Sequence, residues 1–238
     1  MKEFNILDWL HNDPYLTPQE KQASKLIAAE VDYQQFKYKQ FYCWDTSYLG
    51  KRDCCFNHII GLPEKNGRTH PLYDYEANIF RLIEKDEVKH LWIKKATGLG
   101  VSEFFLRYVA WKALSSDIWK NCKVCIVTGP RLELAITLID RIKHLFSETK
   151  VSFESKNAMI MINDCRIEAY PSHHIDTMRG LTNVKLILLD ECSFFPPNQQ
   201  QEVRDVSERY IAKGNPIIVM VSTPRLSTDM FALIEQEP

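Results

Sequence analysis

At 238 residues, 45% of them hydrophobic and 26% charged, the chain can bury one sizeable core or a core domain with a smaller appendage, so an ordinary globular protein is expected. A formal net charge of −1 supplies no global basic field, and any contact with nucleic acid has to come from a local patch. No apolar run approaches the roughly 18 residues of a membrane span, the polar start MKEFNILDWLHND is no signal peptide, and seven cysteines without regular spacing fit reduced thiols, which together predict a cytoplasmic protein.

The first 70 residues differ in texture from the rest, being rich in aromatic, lysine and glutamine residues. Thr17-Pro18-Gln19-Glu20 combines an N-cap, a proline at the first helical position and a capping-box glutamate, and predicts a helix to about Tyr38. Cys43 to Asn66 carries no clean period, and Gly61, Pro63, Asn66 and Gly67 read as loop. Residues 1–70 are expected to form a helical appendage, and residues 71–238 the core domain.

From His70 the pattern alternates between helix and strand. A helix near Tyr73 to Glu84 precedes a strand at Val88 to Ile93, a glycine-containing loop at Lys94 to Val101 and a helix from Ser102 to about Leu114. A strand at Lys123 to Thr128 leads through Gly129-Pro130 into a helix near Leu132 to Phe146. Val151 to Ser155 and Ala158 to Tyr170, broken at Asn163-Asp164, alternate as an inserted β-hairpin. An acidic-ended strand, a polar helix near Gln199 to Lys213, a strand at Pro216 to Ser222 and a helix from about Thr228 follow. Strands separated by helices predict an α/β fold with a mostly parallel sheet flanked by helices.

Chemistry concentrates at three strand ends. KLILLDECSFF, residues 185–195, is too short an apolar run for a helix and fits a strand covered on both faces. It delivers Asp190 and Glu191 to the carboxyl end of the sheet, where open α/β sheets bind ligands; the plainer reading is a strand-to-loop edge. In the loop from Lys94 to Ser102, small residues let backbone N–H groups approach phosphate oxygens, and the helix N-terminus adds a favourable dipole. Ser102, two residues past Gly100, is placed either to meet a magnesium ion or to cap the helix. Val101 stands where a P-loop has its lysine, and Lys94 or Lys95 offers a cation on a flexible stem from the start of the loop. The strand ending Val221-Ser222-Thr223-Pro224 presents hydroxyls that either sense a terminal phosphate or form a simple turn.

These segments follow one another in the order and spacing of a RecA-like ATPase core, and the combination resembles the large subunit of viral DNA-packaging terminases over roughly residues 70–236. Met178-Arg179-Gly180-Leu181 ahead of the acidic strand, the continuation Cys192-Ser193-Phe194-Phe195 and the S-T-P tip add to the match. The resemblance implies a RecA-like P-loop NTPase that hydrolyses ATP with Mg2+. Some members carry their lysine near the beginning of the phosphate loop, as K-x-A-x-x-G-x-S, and the pattern is set here on Lys95, Ala96 and Ser102. Ala96, Thr97, Gly98, Leu99, Gly100 and Val101 then surround the phosphates. By the same resemblance Ser102 and Asp190 hold magnesium, Glu191 polarises the attacking water, Lys95 balances phosphate charge and Thr223 belongs to the coupling motif. Arg179 is the implied arginine finger, acting across a subunit interface, with Arg131 a weaker candidate. The family reads adenine with a tyrosine and a glutamine ahead of the P-loop strand; Tyr75 and Glu76 stand there, and Tyr73 reads at least as well as an aromatic on an amphipathic helix packing into the core.

The implied partners are double-stranded DNA, a portal, a small terminase subunit and sibling subunits in a ring, in a host-cell cytoplasm. Full-length members add a nuclease domain, and nothing after Met230 builds one, so either an isolated motor domain or a truncation, without DNA cleavage, is expected. Two alternatives stand beside this. A superfamily 2 helicase-like fragment would carry D-E-x-D or D-E-x-H, whereas Ser193 occupies the fourth place here. A nonhydrolysing pseudo-ATPase is favoured by the missing P-loop lysine and opposed by the Asp190-Glu191 pair. Neither Cys54, Cys55 and His58 nor Cys122 and Cys125 supply the paired four-ligand spacing of a zinc site, and His173-His174 reads as exposed loop.

Overall fold

The computed structural model describes residues 74–84, 88–146, 151–225 and 227–234. The appendage expected over residues 1–70, together with Tyr73, Cys54, Cys55 and His58, lies outside them. Along the chain come α1 (Asp74–Glu84), β1 (His90–Lys94), α2 (Val101–Ser115), β2 (Lys123–Thr128), α3 (Leu132–Leu145), β3 (Glu154–Lys156), β4 (Met159–Ile162) and β5 (Cys165–Pro171). They are followed by β6 (Val184–Asp190), α4 (Pro197–Glu208), α5 (Ile211–Gly214), β7 (Ile217–Ser222) and α6 (Met230–Ile234).

The strands form one sheet in the order β1-β7-β6-β2-β5-β4-β3. The first five are mutually parallel, while β4 runs antiparallel to both β5 and β3. The hairpin expected from alternation is therefore present at the far end of the sheet. Its last strand is also a full member of the parallel set, with Ile126 of β2 opposite Ala169 of β5.

Period-2 alternation sends successive strand residues to two cores. Leu186 and Leu188 of β6, with Ile217, Val219 and Val221 of β7, join one core with α1, α2 and α3. Ile187 and Leu189, with Ile218 and Met220, join the other with α4 and α6. Each such side chain contributes about 1.5–3 kcal/mol when fully buried. Apolar and aromatic residues surround α2 on nearly all sides, as expected of a helix held inside the protein: Phe104, Phe105, Leu106, Tyr108, Val109 and Trp111 are all buried. Tyr108 and Lys112 also fasten α2 to α1 through Glu84, whose carboxylate accepts from the Tyr108 hydroxyl at 2.7 Å and pairs with the Lys112 ammonium at 2.9 Å.

The polar helix expected to reach Lys213 ends at Glu208 instead. Tyr210 turns inward there and its hydroxyl donates to the Met178 carbonyl, so the chain resumes as the separate turn α5. Among the described residues no helix is long and apolar enough to cross a membrane.

Candidate active site

Sheet order brings the three strand ends together. β7 lies between β1 and β6, with Lys94 in register with Ser222 and Asp190 with Val221. Lys95 extends the pairing by one residue, its N–H donating to the Ser222 carbonyl at 3.0 Å. Consecutive side chains at a strand end diverge. Lys94 is exposed, whereas Lys95 is buried with its ammonium 2.5 Å from Glu191 Oε1. Val101, at the place of the usual P-loop lysine, is 2% exposed within the core. Counted from Lys95, the glycine and serine of K-x-A-x-x-G-x-S fall on Gly100 and Ser102, but its alanine falls on Thr97 and not on Ala96.

Ala96 to Gly100 form an exposed loop between β1 and α2. Gly98 and Gly100 have φ of 84° and 75°, a left-handed backbone that glycine adopts without steric penalty. From α1, the Tyr75 hydroxyl donates to the Leu99 carbonyl, and a Cβ on Gly100 would sit 3.7 Å from a Glu76 carboxylate oxygen. Both residues expected near adenine thus lie against the backbone of the loop at Leu99 and Gly100. Gly100 is the N-cap of α2, and no side chain caps the helix. The Ser102 hydroxyl turns away from the capping role and donates to Asp190 Oδ1 at 2.6 Å.

Asp190 is 6% exposed. Burial pushes its carboxyl above the ordinary range, the Ser102 hydrogen bond pulls it back, and the neighbouring Glu191 charge raises it again. Glu191 follows with φ 54° and ψ 45°. A side chain of its kind in this left-handed region costs about 1–2 kcal/mol, and strain of this type clusters at functional sites. Its carboxylate is held on several sides: by Lys95, by the Thr223 N–H at 3.2 Å and by the Ser222 hydroxyl at 3.5 Å. Thr223 therefore reaches the acid through its backbone.

Two further residues were not singled out by sequence. Ser222 was legible only as part of the S-T-P tip, yet its hydroxyl accepts from the Ser193 N–H at 3.0 Å as well as facing Glu191. Gln200, buried on α4, donates to the Phe195 carbonyl at 2.9 Å and accepts from the Met230 N–H at 2.9 Å, tying the acidic loop to α6. The run Gln199-Gln200-Gln201 gave no signal of which glutamine turns inward.

Arg179 does not join this cluster. Its guanidinium pairs with Asp176 and with Glu202 at 3.3 Å, and its carbonyl accepts from Lys213 at 3.1 Å. It precedes Val184, the first residue of β6, whereas Asp190 ends that strand about 20 Å further along. Arg131 is an exposed residue at the start of α3. Cys122 and Cys125 are free and buried, and His173 and His174 are exposed. Among the described residues no group of three or more His, Cys, Asp or Glu is placed to hold a metal. The paired oxygens of Ser102 and Asp190 nonetheless suit a magnesium ion, which uses one or two protein oxygens and completes its shell with phosphates and waters.

No family model and no curated protein matches the chain by sequence. Solved structures do. The large terminase of bacteriophage HK97 is 14% identical, covers 75% of this chain and 40% of its own, and superposes with a TM-score of 0.60. A large terminase from a thermophilic bacteriophage, solved in complex with ADP, is 11% identical over 68% of this chain and 41% of that one, with a TM-score of 0.53. The ATPase domain of the Thermus phage P74-26 large terminase, as a mutant, is 12% identical over 68% of both chains, with a TM-score of 0.50. The chain thus spans 40% of the HK97 protein's length. At these identities the likeness is one of architecture: the described residues carry the RecA-like, mostly parallel α/β fold of phage large-terminase ATPase domains.

Proposed function

We propose that this chain is the ATPase motor domain of a DNA-packaging terminase large subunit, coupling magnesium-dependent ATP hydrolysis to translocation of double-stranded DNA. The observation that carries the reading is the convergence of Lys95, Ser102, Asp190 and Glu191 at the adjoining ends of β1, β6 and β7. The ADP-bound phage terminase of the same fold supports a nucleotide as ligand.

Phosphoryl transfer asks a protein mainly for positioning and charge stabilisation. The N–H groups of residues 96–102, at the start of α2, receive the phosphates. Lys95 supplies the cation that Val101 cannot, exchanging its contact with Glu191 for phosphate oxygens. Ser102 and Asp190 would hold magnesium, which when bound offsets charge on the β- and γ-phosphates. Glu191, released by Lys95 but still held by Thr223, accepts a hydrogen bond from the attacking water and takes its proton. Tyr75 fixes the loop through Leu99. Arg179 serves the nucleotide of a neighbouring copy in a ring, and the portal and small terminase subunit complete the implied assembly.

The test is steady-state phosphate release at saturating ATP, with and without magnesium and duplex DNA. Magnesium-dependent turnover that duplex DNA accelerates is expected. Nucleotide binding with no turnover under any of these conditions overturns the motor reading in favour of a nonhydrolysing module.

A further inference from the structure

Four of the five parallel strands begin at or beside a basic residue, and the fifth follows one by four positions. His90 opens β1, Lys123 opens β2, Arg166 and Lys185 are the second residues of β5 and β6, and Lys213 lies in the turn before β7. Parallel strands share their starts, so these residues line one rim of the sheet, opposite the ends that carry Lys95 and Glu191. Lys123 is in register with Arg166 on one side and with Val184 on the other. Gly214, next to Lys213, comes within 3.8 Å of the Val184 carbonyl, measured from the position of an added Cβ. With neighbouring strands about 4.8 Å apart, the row is about 19 Å long.

Much of this charge is not cancelled locally. Arg166 pairs with Glu168 at 2.6 Å. The Lys123 ammonium, in contrast, donates to the Thr182 carbonyl at 3.4 Å and that of Lys213 to the Arg179 carbonyl at 3.1 Å; Lys185 forms no ion pair among the described residues. A carbonyl dipole orients an ammonium without removing its charge. Asp164, in the turn before β5, borders the rim, and Asp176 and Glu202 are engaged by Arg179. In a chain of net charge −1, positive charge is therefore gathered along one straight edge. Exposed Asn121, Thr182 and Asn183 lie among the cations and add neutral hydrogen-bonding groups.

We propose that this rim contacts the phosphate backbone of a nucleic-acid duplex, through charge and without base readout. The inference rests on the DNA-translocation reading above and assigns its contact surface. A duplex presents a phosphate about every 3.4 Å of axis on each strand, so a row of about 19 Å spans about five of them. Rigid strands set the spacing of the row, which suits a stiff polyanion. Single-stranded nucleic acid is gripped by aromatic platforms, and the cations here are interleaved with Asn and Thr instead.

The test is fluorescence anisotropy of a mixed-sequence duplex across a salt series, comparing the wild-type chain with the triple variant Lys123→Gln, Lys185→Gln, Lys213→Gln. Loss of three phosphate contacts is expected to make the log–log salt slope shallower by about 2–3, and to weaken binding at least about tenfold at low salt. The matching triple Lys→Arg variant is expected to retain both slope and affinity. Nucleotide affinity should not change in either, because the rim lies at the other end of the strands. If the triple variant melts well below wild type, Lys185→Glu alone is used and is expected to weaken binding in the same direction. An unchanged slope in a folded variant overturns the proposal. So does an equally strong, rim-dependent interaction with a single strand of the same length, or displacement of the duplex by polyglutamate at equal charge. A chain that hydrolyses ATP but does not bind duplex overturns the rim and leaves the ATPase reading; rim-dependent duplex binding without turnover does the reverse.

Discussion

Lys95 and Glu191 meet at 2.5 Å, joining the first residue after β1 to the first residue after β6. The contact explains how a loop with valine at the usual lysine position keeps a cation: the charge enters from the strand side of the loop. On the proposed reading it also sets a competition, in which phosphate oxygens and the Glu191 carboxylate seek the same ammonium.

Lys95→Ala is expected to weaken ATP binding about 10- to 100-fold, the scale of a lost charge-assisted hydrogen bond of about 1.5–3 kcal/mol. Lys94→Ala, at an exposed neighbouring position, should change it less than about threefold. Titration of a fluorescent ATP analogue checks both. Equal effects at the two positions would reject Lys95 as the phosphate ligand.

Glu191→Gln keeps the shape and the Thr223 contact but removes the base. Phosphate release should fall by a factor of about 100 or more while ATP affinity is retained or improved, because Lys95 loses its charged competitor. The two quantities are measured on the same preparation. Unchanged turnover would remove Glu191 from the chemistry.

Burial holds the Asp190 carboxyl above its ordinary range. Between the unfolded value near ~3.9 and the raised folded value, the folded chain keeps a proton that the unfolded chain has released. Stability therefore falls as pH rises through that window and levels off above it. Asp190→Asn, which still accepts from Ser102, has no such slope. In nucleotide-free buffer with a chelator, its melting temperature should exceed that of wild type at neutral pH, with the gap closing as pH approaches 4. A variant less stable than wild type at neutral pH would contradict this account. The same substitution should remove the magnesium-dependent part of ATP binding.

Arg179, about half exposed and remote from its own chain's cluster, is expected to act between copies. Specific activity should rise with protein concentration, and Arg179→Ala should abolish the rise while leaving ATP binding intact. Mixing Arg179→Ala with Glu191→Gln protein should recover some turnover, because one interface then carries both intact residues. With assembly verified by light scattering, a flat concentration dependence and no recovery would exclude the trans role.

Much of the fold could be read from strand ends. Ile, Leu and Val runs alternate between two cores and stop at polar residues, so the bounds of β2 coincide with Lys123 to Thr128 as expected. β5 was less legible, because alternation in Ala158 to Tyr170 looks the same whether its partners are antiparallel or parallel. The break after Glu208 depends on a distant carbonyl accepting from Tyr210. Within the candidate site, sequence named the charged residues but not their geometry. Burial of Lys95 rather than Lys94 follows from strand phase and the Ser222 pairing, and the left-handed backbone of Glu191 has no signature in an Asp-Glu-Cys string.

The position of β7 has a consequence for how the protein is made. Among the described residues β1 has β7 as its one sheet neighbour, with His90 paired to Ile218. As the chain leaves the ribosome, β1 is synthesised before β2, β5 and β6 and its partner β7 only after them, so β2, β5 and β6 can pair before β1 has its neighbour. Closing so long a loop is slow. Nucleotide binding should therefore be acquired late, in one step, when β7 slides between β1 and β6, and nascent chains stalled before Ile217 should have no affinity for ATP even with Lys95, Ser102, Asp190 and Glu191 all present.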